Sequence, residues 1–162
     1  MKILTINTHS LQEENYEQKL QWFIEGILKE KPDIIAMQEV NQTADAPLMA
    51  PELLAGQYPV PGALPVRQDN HAANVALRLR NAGVNCYWAW VPIKLGYGKY
   101  DEGVAILSLG RPSAAPMFSP SPKCMTIRTG GPVRFWAFRW RDIPIGSIPS
   151  TWDGGTMPRS RS

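Results

Sequence analysis

Hydrophobic and polar residues follow regular patterns in the first part of the chain, and these patterns predict a β-α-β opening. Lys2 to Asn7 is a short β-rich run that ends in polar residues. Apolar residues recur at helical spacing from about Glu14 to Glu30, and Pro32 stops this pattern. Asp33 to Val40 then predicts a buried strand with a polar end. The apolar stripe of the helix consists of Leu20, Phe23, Ile24, Ile27 and Leu28.

The next part of the chain predicts one more helix and two more strands. Residues 41–68 are rich in Pro, Ala and Gly, which favours a loop with at most a short helical turn. A helix is predicted from about Asn70 to Asn81, with Asp69 as its N-cap and Gly83 as its C-terminal cap. The two strands are predicted over Val84 to Val91 and Glu102 to Ser108.

The overall composition is that of a globular protein, with 44% hydrophobic and 19% charged residues. No apolar run approaches the roughly 20 residues needed to cross a bilayer. The N-terminus lacks the basic and apolar regions of a secretory signal, so the expected location is cytoplasmic. No obligate protein partner is indicated.

The character of the chain changes after residue 108. Through Gly110 there are nine Lys and Arg against twelve Asp and Glu, whereas residues 111–162 contain eight against two. The same tail holds eight of the 15 prolines and has no leucine and no glutamate. We therefore predict a division into residues 1–108, which follow ordinary folding patterns, and a Pro/Ser/Arg-rich tail over residues 109–162. The tail is expected to be translated out of frame or disordered, although its six Trp and Phe residues are unusual for a disordered segment.

Two polar residues at predicted strand ends are candidates for metal chemistry. Asn7 ends the first strand and Glu39 lies near the end of the second, and parallel neighbours bring such ends to one edge of the sheet. A carboxylate with an amide oxygen suits Mg²⁺, which keeps most of its waters. The alternative is that Asn7 caps a turn and that Glu39 is a solvated charge.

Three sequence stretches carry a resemblance to a known family: ILTINTHS, DIIAMQEV and YDEGVAILS. In their order and approximate spacing they resemble the endonuclease/exonuclease/phosphatase family, over about residues 1–108. The resemblance implies an α/β (α+β) fold, namely the N-terminal part of a two-sheet DNase I-like β-sandwich with outer helices, here incomplete. It also implies a phosphoesterase, either a nuclease or a phosphatase, that depends on Mg²⁺ or alternatively Mn²⁺.

The resemblance also implies roles for individual residues. Asn7 matches an active-site asparagine and is expected to act in catalysis and at the metal. Glu39 matches the metal-binding glutamate. Tyr100 lies near the position of a tyrosine that contacts the phosphate in some family members. Gln38 is expected to orient the site or to satisfy backbone groups.

Other polar residues are expected to have no role in catalysis. His9 is interpreted as a surface residue of a loop, and His71 as a solvated residue at a helix terminus. Asp101 and Glu102 are expected to face solvent. The later histidine and aspartate motifs of the family are absent, because His9 and His71 are the two histidines of the chain.

Three hypotheses for function follow. The first is a truncated, frameshifted and inactive member of the family, and the second is an active metal-dependent phosphoesterase with a divergent second half. The third is a protein that binds nucleic acid without catalysis, through the basic and aromatic tail. The expected substrate of the first two is a phosphoester, such as a nucleic acid or an inositol phosphate.

Overall fold

The structure, a computed structural model, describes residues 2–109 and the backbone of residues 134–139. Within them lie five strands, two α-helices and two short 3₁₀ turns at Ser10–Gln12 and Pro51–Leu53. In chain order the strands and helices are β1 (Lys2–Asn7), α1 (Tyr16–Glu30), β2 (Ile34–Thr43), α2 (His71–Asn81), β3 (Cys86–Gly96), β4 (Tyr100–Leu109) and β5 (Arg134–Arg139).

The strands form one mixed sheet in the order β3-β4-β2-β1-β5. β1 runs parallel to both β2 and β5. β4 lies between β2 and β3 and is antiparallel to both. The connection of β1 to β2 through α1 confirms the predicted β-α-β opening and brings the C-terminal ends of β1 and β2 to one edge.

Both helices pack their apolar sides against one face of the sheet. The strand register places Ile35, Leu107 and Trp88 side by side across three strands, and all three are buried. They belong to one core cluster with the apolar stripe of α1 and the inner side of α2. Burial of such side chains contributes roughly 1.5–3 kcal/mol each, which makes this the stable side of the molecule.

The observed elements differ from the predicted ones mainly at their ends. β2 continues three residues beyond Val40, and β3 continues five residues beyond Val91, because both pair with β4 over this length. The N-cap of α2 is Asn70, not Asp69: the side chain of Asn70 accepts a hydrogen bond from the Ala73 amide at 3.1 Å. Gly83 follows the helix with φ 82°, as expected of a C-terminal cap.

A buried amide ties the long loop between β2 and α2 to the sheet. The Gln42 amide nitrogen donates to the Pro65 carbonyl and to Asp101, each at 3.1 Å. The Gln42 amide oxygen accepts from the Arg67 amide and from the Asn70 side chain, each at 3.0 Å. All bonding positions of a fully buried side chain are therefore used.

β5 lies inside the predicted tail. Apart from Leu109 and this strand, residues 109–162 lie outside the described part of the chain. The proposals of a changed reading frame, of disorder and of nucleic-acid binding by the tail therefore stay predictions. In the described part, α1 is the longest helix at 15 residues, and no helix is long and apolar enough to span a membrane.

Candidate active site

A β-bulge in β2 places Glu39 beside the C-terminal end of β1. The pairing of β2 with β4 passes from Met37 opposite Ala105 to Val40 opposite Gly103, so that two residues of β2 face one residue of β4. Glu39 lies in this bulge with φ 54°, a left-handed conformation that is uncommon for residues other than glycine. Bulges of this kind redirect side chains beside active sites.

The side chain of Asn7 holds the redirected carboxylate. Its amide nitrogen donates a hydrogen bond of 2.7 Å to Oε1 of Glu39. Its amide oxygen accepts from the backbone amide of His9 at 3.1 Å, which fixes the orientation of the amide group. The two polar strand ends that the sequence singled out are thus in direct contact.

Further contacts hold the bulge from both sides. The hydroxyl of Thr8, a fully buried residue, lies 2.9 Å from the Gln38 carbonyl oxygen and 3.1 Å from that of Glu39. On the other side the indole of Trp90 donates to the Val40 carbonyl at 3.1 Å. The peptide bonds on both sides of Glu39 are therefore held in place, and this backbone conformation sets the direction of its Cα–Cβ bond.

Gly103, opposite the bulge, can have no larger side chain. A Cβ atom there would lie 2.7 Å from the indole nitrogen of Trp90 and 2.2 Å from the Val91 carbonyl oxygen. Gln38 has a supporting role, since its amide donates to Thr5 Oγ1 at 3.0 Å and to the Ala36 carbonyl at 3.3 Å.

His9 is less simple than the predicted surface residue. Its backbone is left-handed (φ 45°), and its Nδ1 lies 2.7 Å from Oε1 of Glu13. Lys19 bonds the other oxygen of the same carboxylate. Burial by itself would raise the pKa of Glu13, but the hydrogen bonds from Lys19 and His9 outweigh it, and the pKa is lowered. The His9 ring is thus held beside the loop that follows Asn7.

Tyr100 lies farther from the Asn7–Glu39 pair than a contact distance. It begins β4 and pairs with Thr43, three register positions beyond the pair of Val40 and Gly103. At about 3.3 Å per residue this separation is roughly 10 Å along the strands. The ammonium group of Lys99 lies 4.9 Å from the centre of the Tyr100 ring.

The prediction that Asp101 and Glu102 face solvent is wrong. Both lie on β4, which is paired with a neighbouring strand on each side. The Asp101 carboxylate accepts from Gln42 and lies 3.9 Å from the Arg67 guanidinium. The Glu102 side chain is 12% exposed and pairs with Lys94 at 3.1 Å. The sequence analysis began the strand at Glu102, whereas β4 begins at Tyr100 and so includes both residues.

Lys94 is a residue near the site that the sequence analysis missed. It lies opposite Glu102 in the register of β3 and β4. The hydrogen bond and the charge of Glu102 raise the pKa of Lys94, and the charge of Glu39 adds a smaller attraction. The strand pattern alone carried no signal for this lysine, because its relation to Glu39 arises from the order of the strands in the sheet.

Asn41 is the cross-strand neighbour of Glu102 on the other side of β4. Its side chain is fully buried, and within the described residues neither its amide nitrogen nor its amide oxygen has a hydrogen-bond partner. Its backbone amide donates to Ser10 Oγ at 3.2 Å. The edge of the sheet thus retains an unsatisfied polar group close to the bulge.

The prediction that His71 is solvated is also wrong. His71 begins α2 and is 0% exposed. Its Nδ1 lies 2.9 Å from the hydroxyl of Tyr16, the first residue of α1. Burial lowers the pKa of His71 to about 3. Because α1 covers the start of α2, a residue with the sequence position of a helix terminus lies in the interior.

The donor set at the edge fits a hard cation that is bound largely through water. Among residues 2–109 there is no group of three or more His, Cys, Asp and Glu side chains with the geometry of a metal site. Oε1 of Glu39 is held by Asn7, and Oε2 has no hydrogen-bond partner in this part of the chain. One free carboxylate oxygen suits Mg²⁺, which takes one or two protein carboxylates and retains its waters. Asn7 turns its nitrogen toward Glu39 and so supports the ligand.

Comparisons with known proteins agree with the motifs. No protein-family model and no curated protein matches the sequence. Among solved structures, the fold is similar to that of an endonuclease/exonuclease/phosphatase family protein from Leptotrichia buccalis C-1013-b, with 30% sequence identity and a TM-score of 0.56. The match covers 69% of this chain and 38% of that chain. The resemblance and the partial DNase I-like α+β fold are thereby confirmed, and this chain corresponds to less than half of its structural neighbour.

Proposed function

We propose that this chain, which resembles the endonuclease/exonuclease/phosphatase family in sequence and fold, carries the metal-binding part of a phosphoesterase site. Glu39 is the ligand of a Mg²⁺ ion, and Asn7 orients its carboxylate. The observation that carries the proposal is the 2.7 Å hydrogen bond between these two side chains at the C-terminal edge of parallel strands. Clefts at such edges are the usual ligand sites of open α/β sheets.

Each residue has a separate task in this proposal. Glu39 supplies a hard oxygen ligand whose direction is set by the bulge and by Asn7. When bound, Mg²⁺ or Mn²⁺ polarises a phosphoryl oxygen and stabilises negative charge. Tyr100 remains a candidate for contact with a more distant part of the substrate, since the strand register separates it from Glu39. The substrate class is a phosphoester, such as a nucleic acid or an inositol phosphate.

We further propose that the chain binds metal without efficient hydrolysis. A general acid or base is needed to move protons during phosphoester hydrolysis. Of the two histidines in the sequence, His71 is buried and His9 is paired with Glu13. Burial therefore removes His71 from the site, and the later histidine and aspartate motifs of the family are absent from the sequence. The inactive state of the first hypothesis is thus favoured over the active enzyme of the second.

Direct metal binding tests the proposal. The affinity of the full chain for Mn²⁺, measured by electron paramagnetic resonance, is expected to fall below detection in Glu39→Gln. Asn7→Ala is expected to weaken binding roughly tenfold, as is usual when the partner of a ligand is removed. Glu52→Gln, at an exposed carboxylate of the long loop, is the matched control and should bind as the unaltered chain does.

Two results would contradict the proposal in different ways. Mn²⁺ affinity that is the same in Glu39→Gln as in the unaltered chain would remove Glu39 from the metal site. Mg²⁺-dependent hydrolysis of a phosphodiester or phosphomonoester, lost in Glu39→Gln, would keep the site but replace the inactive chain with an active enzyme.

A further inference from the structure

Lys94 combines an exposed ammonium group with a fixed anchor. Its side chain is 64% exposed, yet its Nζ lies 3.1 Å from Oε1 of Glu102, a carboxylate that is almost buried. In the described part of the chain, Glu102 is the one hydrogen-bond acceptor of this ammonium group. An ammonium group has three donors, so two of them remain available to a ligand.

The anchor itself is held in place by the shape of the hairpin between β3 and β4. Glu102 lies across Gly96, where a Cβ atom would be 2.9 Å from Oε2 of Glu102 and 3.4 Å from its Cβ. A glycine at this position leaves room for the carboxylate to lie against the backbone of β3. The Lys94 ammonium group is therefore bound to a carboxylate that is almost buried against the backbone of β3.

The register of the sheet brings this ion pair to the neighbourhood of Glu39. Glu102 pairs with Lys94 on one side and with Asn41 on the other. Asn41 follows the bulge residue Glu39 by two positions on β2. Glu39 is thus two residues along β2 from the cross-strand neighbour of Glu102.

We propose that Lys94 binds a phosphoryl oxygen of the ligand whose phosphate is held by the metal at Glu39. This inference rests on the proposed function. The Lys94 ammonium group donates to a non-bridging oxygen, and Glu102 acts as its positioning residue. An ammonium group with a fixed position loses less conformational freedom when the phosphate binds than a mobile lysine would.

Charge balance supports this role. Glu39 and Glu102 together carry two negative charges, so a divalent metal alone would leave the site neutral and without net attraction for phosphate. Lys94 makes the metal-loaded site positive by one charge. This positive charge attracts a phosphate anion, and screening by water and salt reduces the attraction.

Phosphate binding separates this inference from the metal site. The affinity of the full chain for inorganic phosphate is measured by calorimetry at saturating Mg²⁺. Lys94→Gln is expected to weaken it at least about tenfold, which corresponds to about 1.4 kcal/mol. Mn²⁺ affinity should be unchanged or tighter, because a positive charge has been removed near Glu39. Lys94→Arg, which keeps the charge, should retain phosphate affinity within about threefold.

Two further variants complete the experiment. Lys31→Gln removes an exposed lysine at the end of α1, beside the opposite edge of the sheet, and should bind phosphate as the unaltered chain does. Glu102→Gln should weaken phosphate binding less than Lys94→Gln does, since it removes the anchor of the ammonium group but also removes a negative charge from the site.

Phosphate affinity that is equal in Lys94→Gln and in the unaltered chain would overturn the inference, as would a metal-loaded chain that binds no phosphate. If Mn²⁺ binding depends on Glu39 in these cases, only the inference about Lys94 fails. If Mn²⁺ binding does not depend on Glu39, the proposed function itself fails.

Discussion

The helix-covered face of the sheet and the edge around Glu39 differ in the side chains they contain. The first buries Ile35, Leu107 and Trp88 under two helices in one continuous core. The second gathers charged side chains, among them the almost buried Glu102 and the exposed Lys94. The same sheet thus carries a packed apolar core on one face and a cluster of charged and polar side chains around Glu39.

The treatment of polar groups shows the difference most clearly. On the helix side the buried Gln42 uses all of its bonding positions. At the edge the buried Asn41 has no side-chain partner in the described part of the chain, and both His9 and Glu39 have left-handed backbones. Unfavourable local features of this kind concentrate at functional sites, where the surrounding structure maintains them. Substitutions on the helix-covered face should therefore mainly change stability, whereas substitutions around Glu39 should mainly change metal binding.

The largest effect is expected on the helix-covered face. Leu107→Ala removes a fully buried side chain from the centre of the core. The free energy of unfolding should fall by about 3 to 5 kcal/mol, because the variant loses buried surface and leaves a cavity. Urea unfolding followed by circular dichroism measures this change.

Leu95→Ala is the matched control for this substitution. Leu95 lies on the neighbouring strand β3 but is 61% exposed. Its truncation should change the free energy of unfolding by less than about 0.5 kcal/mol. Equal losses in the two variants would mean that the face packed against the helices is no more cohesive than the exposed hairpin.

A second, smaller effect is expected from acid at the buried His71. Because its pKa is lowered to about 3, the unfolded chain binds a proton near pH 6.5 that the folded chain does not. Stability is therefore complete above pH 6.5 and is lost as the pH falls toward 3. Between pH 7 and pH 4.5 the loss should be about 2.5 kcal/mol, measured by urea unfolding at each pH.

His71→Gln identifies the source of this pH dependence. The amide does not titrate, so the free energy of unfolding should vary much less between pH 6.5 and pH 4.5. Glu13 has a lowered pKa and contributes only when the pH falls below its ordinary value of 4.5. Parallel pH profiles of His71→Gln and the unaltered chain would assign the effect to another group.

The sequence predicted the parts of the fold that depend on local patterns. The apolar stripe of α1 and the strands β1 and β2 were found because their periodicity is strong and continuous. The contact of Asn7 with Glu39 followed from one further step, namely that parallel neighbours end at the same edge. The bulge that redirects Glu39 was not predicted, since it depends on the pairing with β4.

Residues whose surroundings come from distant parts of the chain were predicted less well. His71 was expected in solvent because its neighbours in sequence suggest a helix start, but Tyr16 of α1 covers it. Glu102 and Lys94 lie eight positions apart in sequence and become neighbours only through the hairpin register. Their approach to Glu39 depends on the order of three strands, which no local pattern encodes.

The smallest effect on stability is expected for a glycine at position 39, although this substitution should abolish Mn²⁺ binding. Glu39→Gly removes the carboxylate but suits a backbone with φ 54°. The relief of backbone strain offsets the lost hydrogen bond to Asn7 and the greater freedom of the unfolded chain. The free energy of unfolding should therefore change by less than about 1 kcal/mol.

Glu39→Val tests the backbone contribution at the same position. It also removes the carboxylate, but a β-branched side chain is strained in the left-handed region, so it should lower the free energy of unfolding by about 1 to 3 kcal/mol. Both variants should lose Mn²⁺ binding, while only Glu39→Val loses stability. If Glu39→Gly were as destabilising as Leu107→Ala, Glu39 would contribute to stability as much as a core residue does, and the contrast between the two regions would not hold.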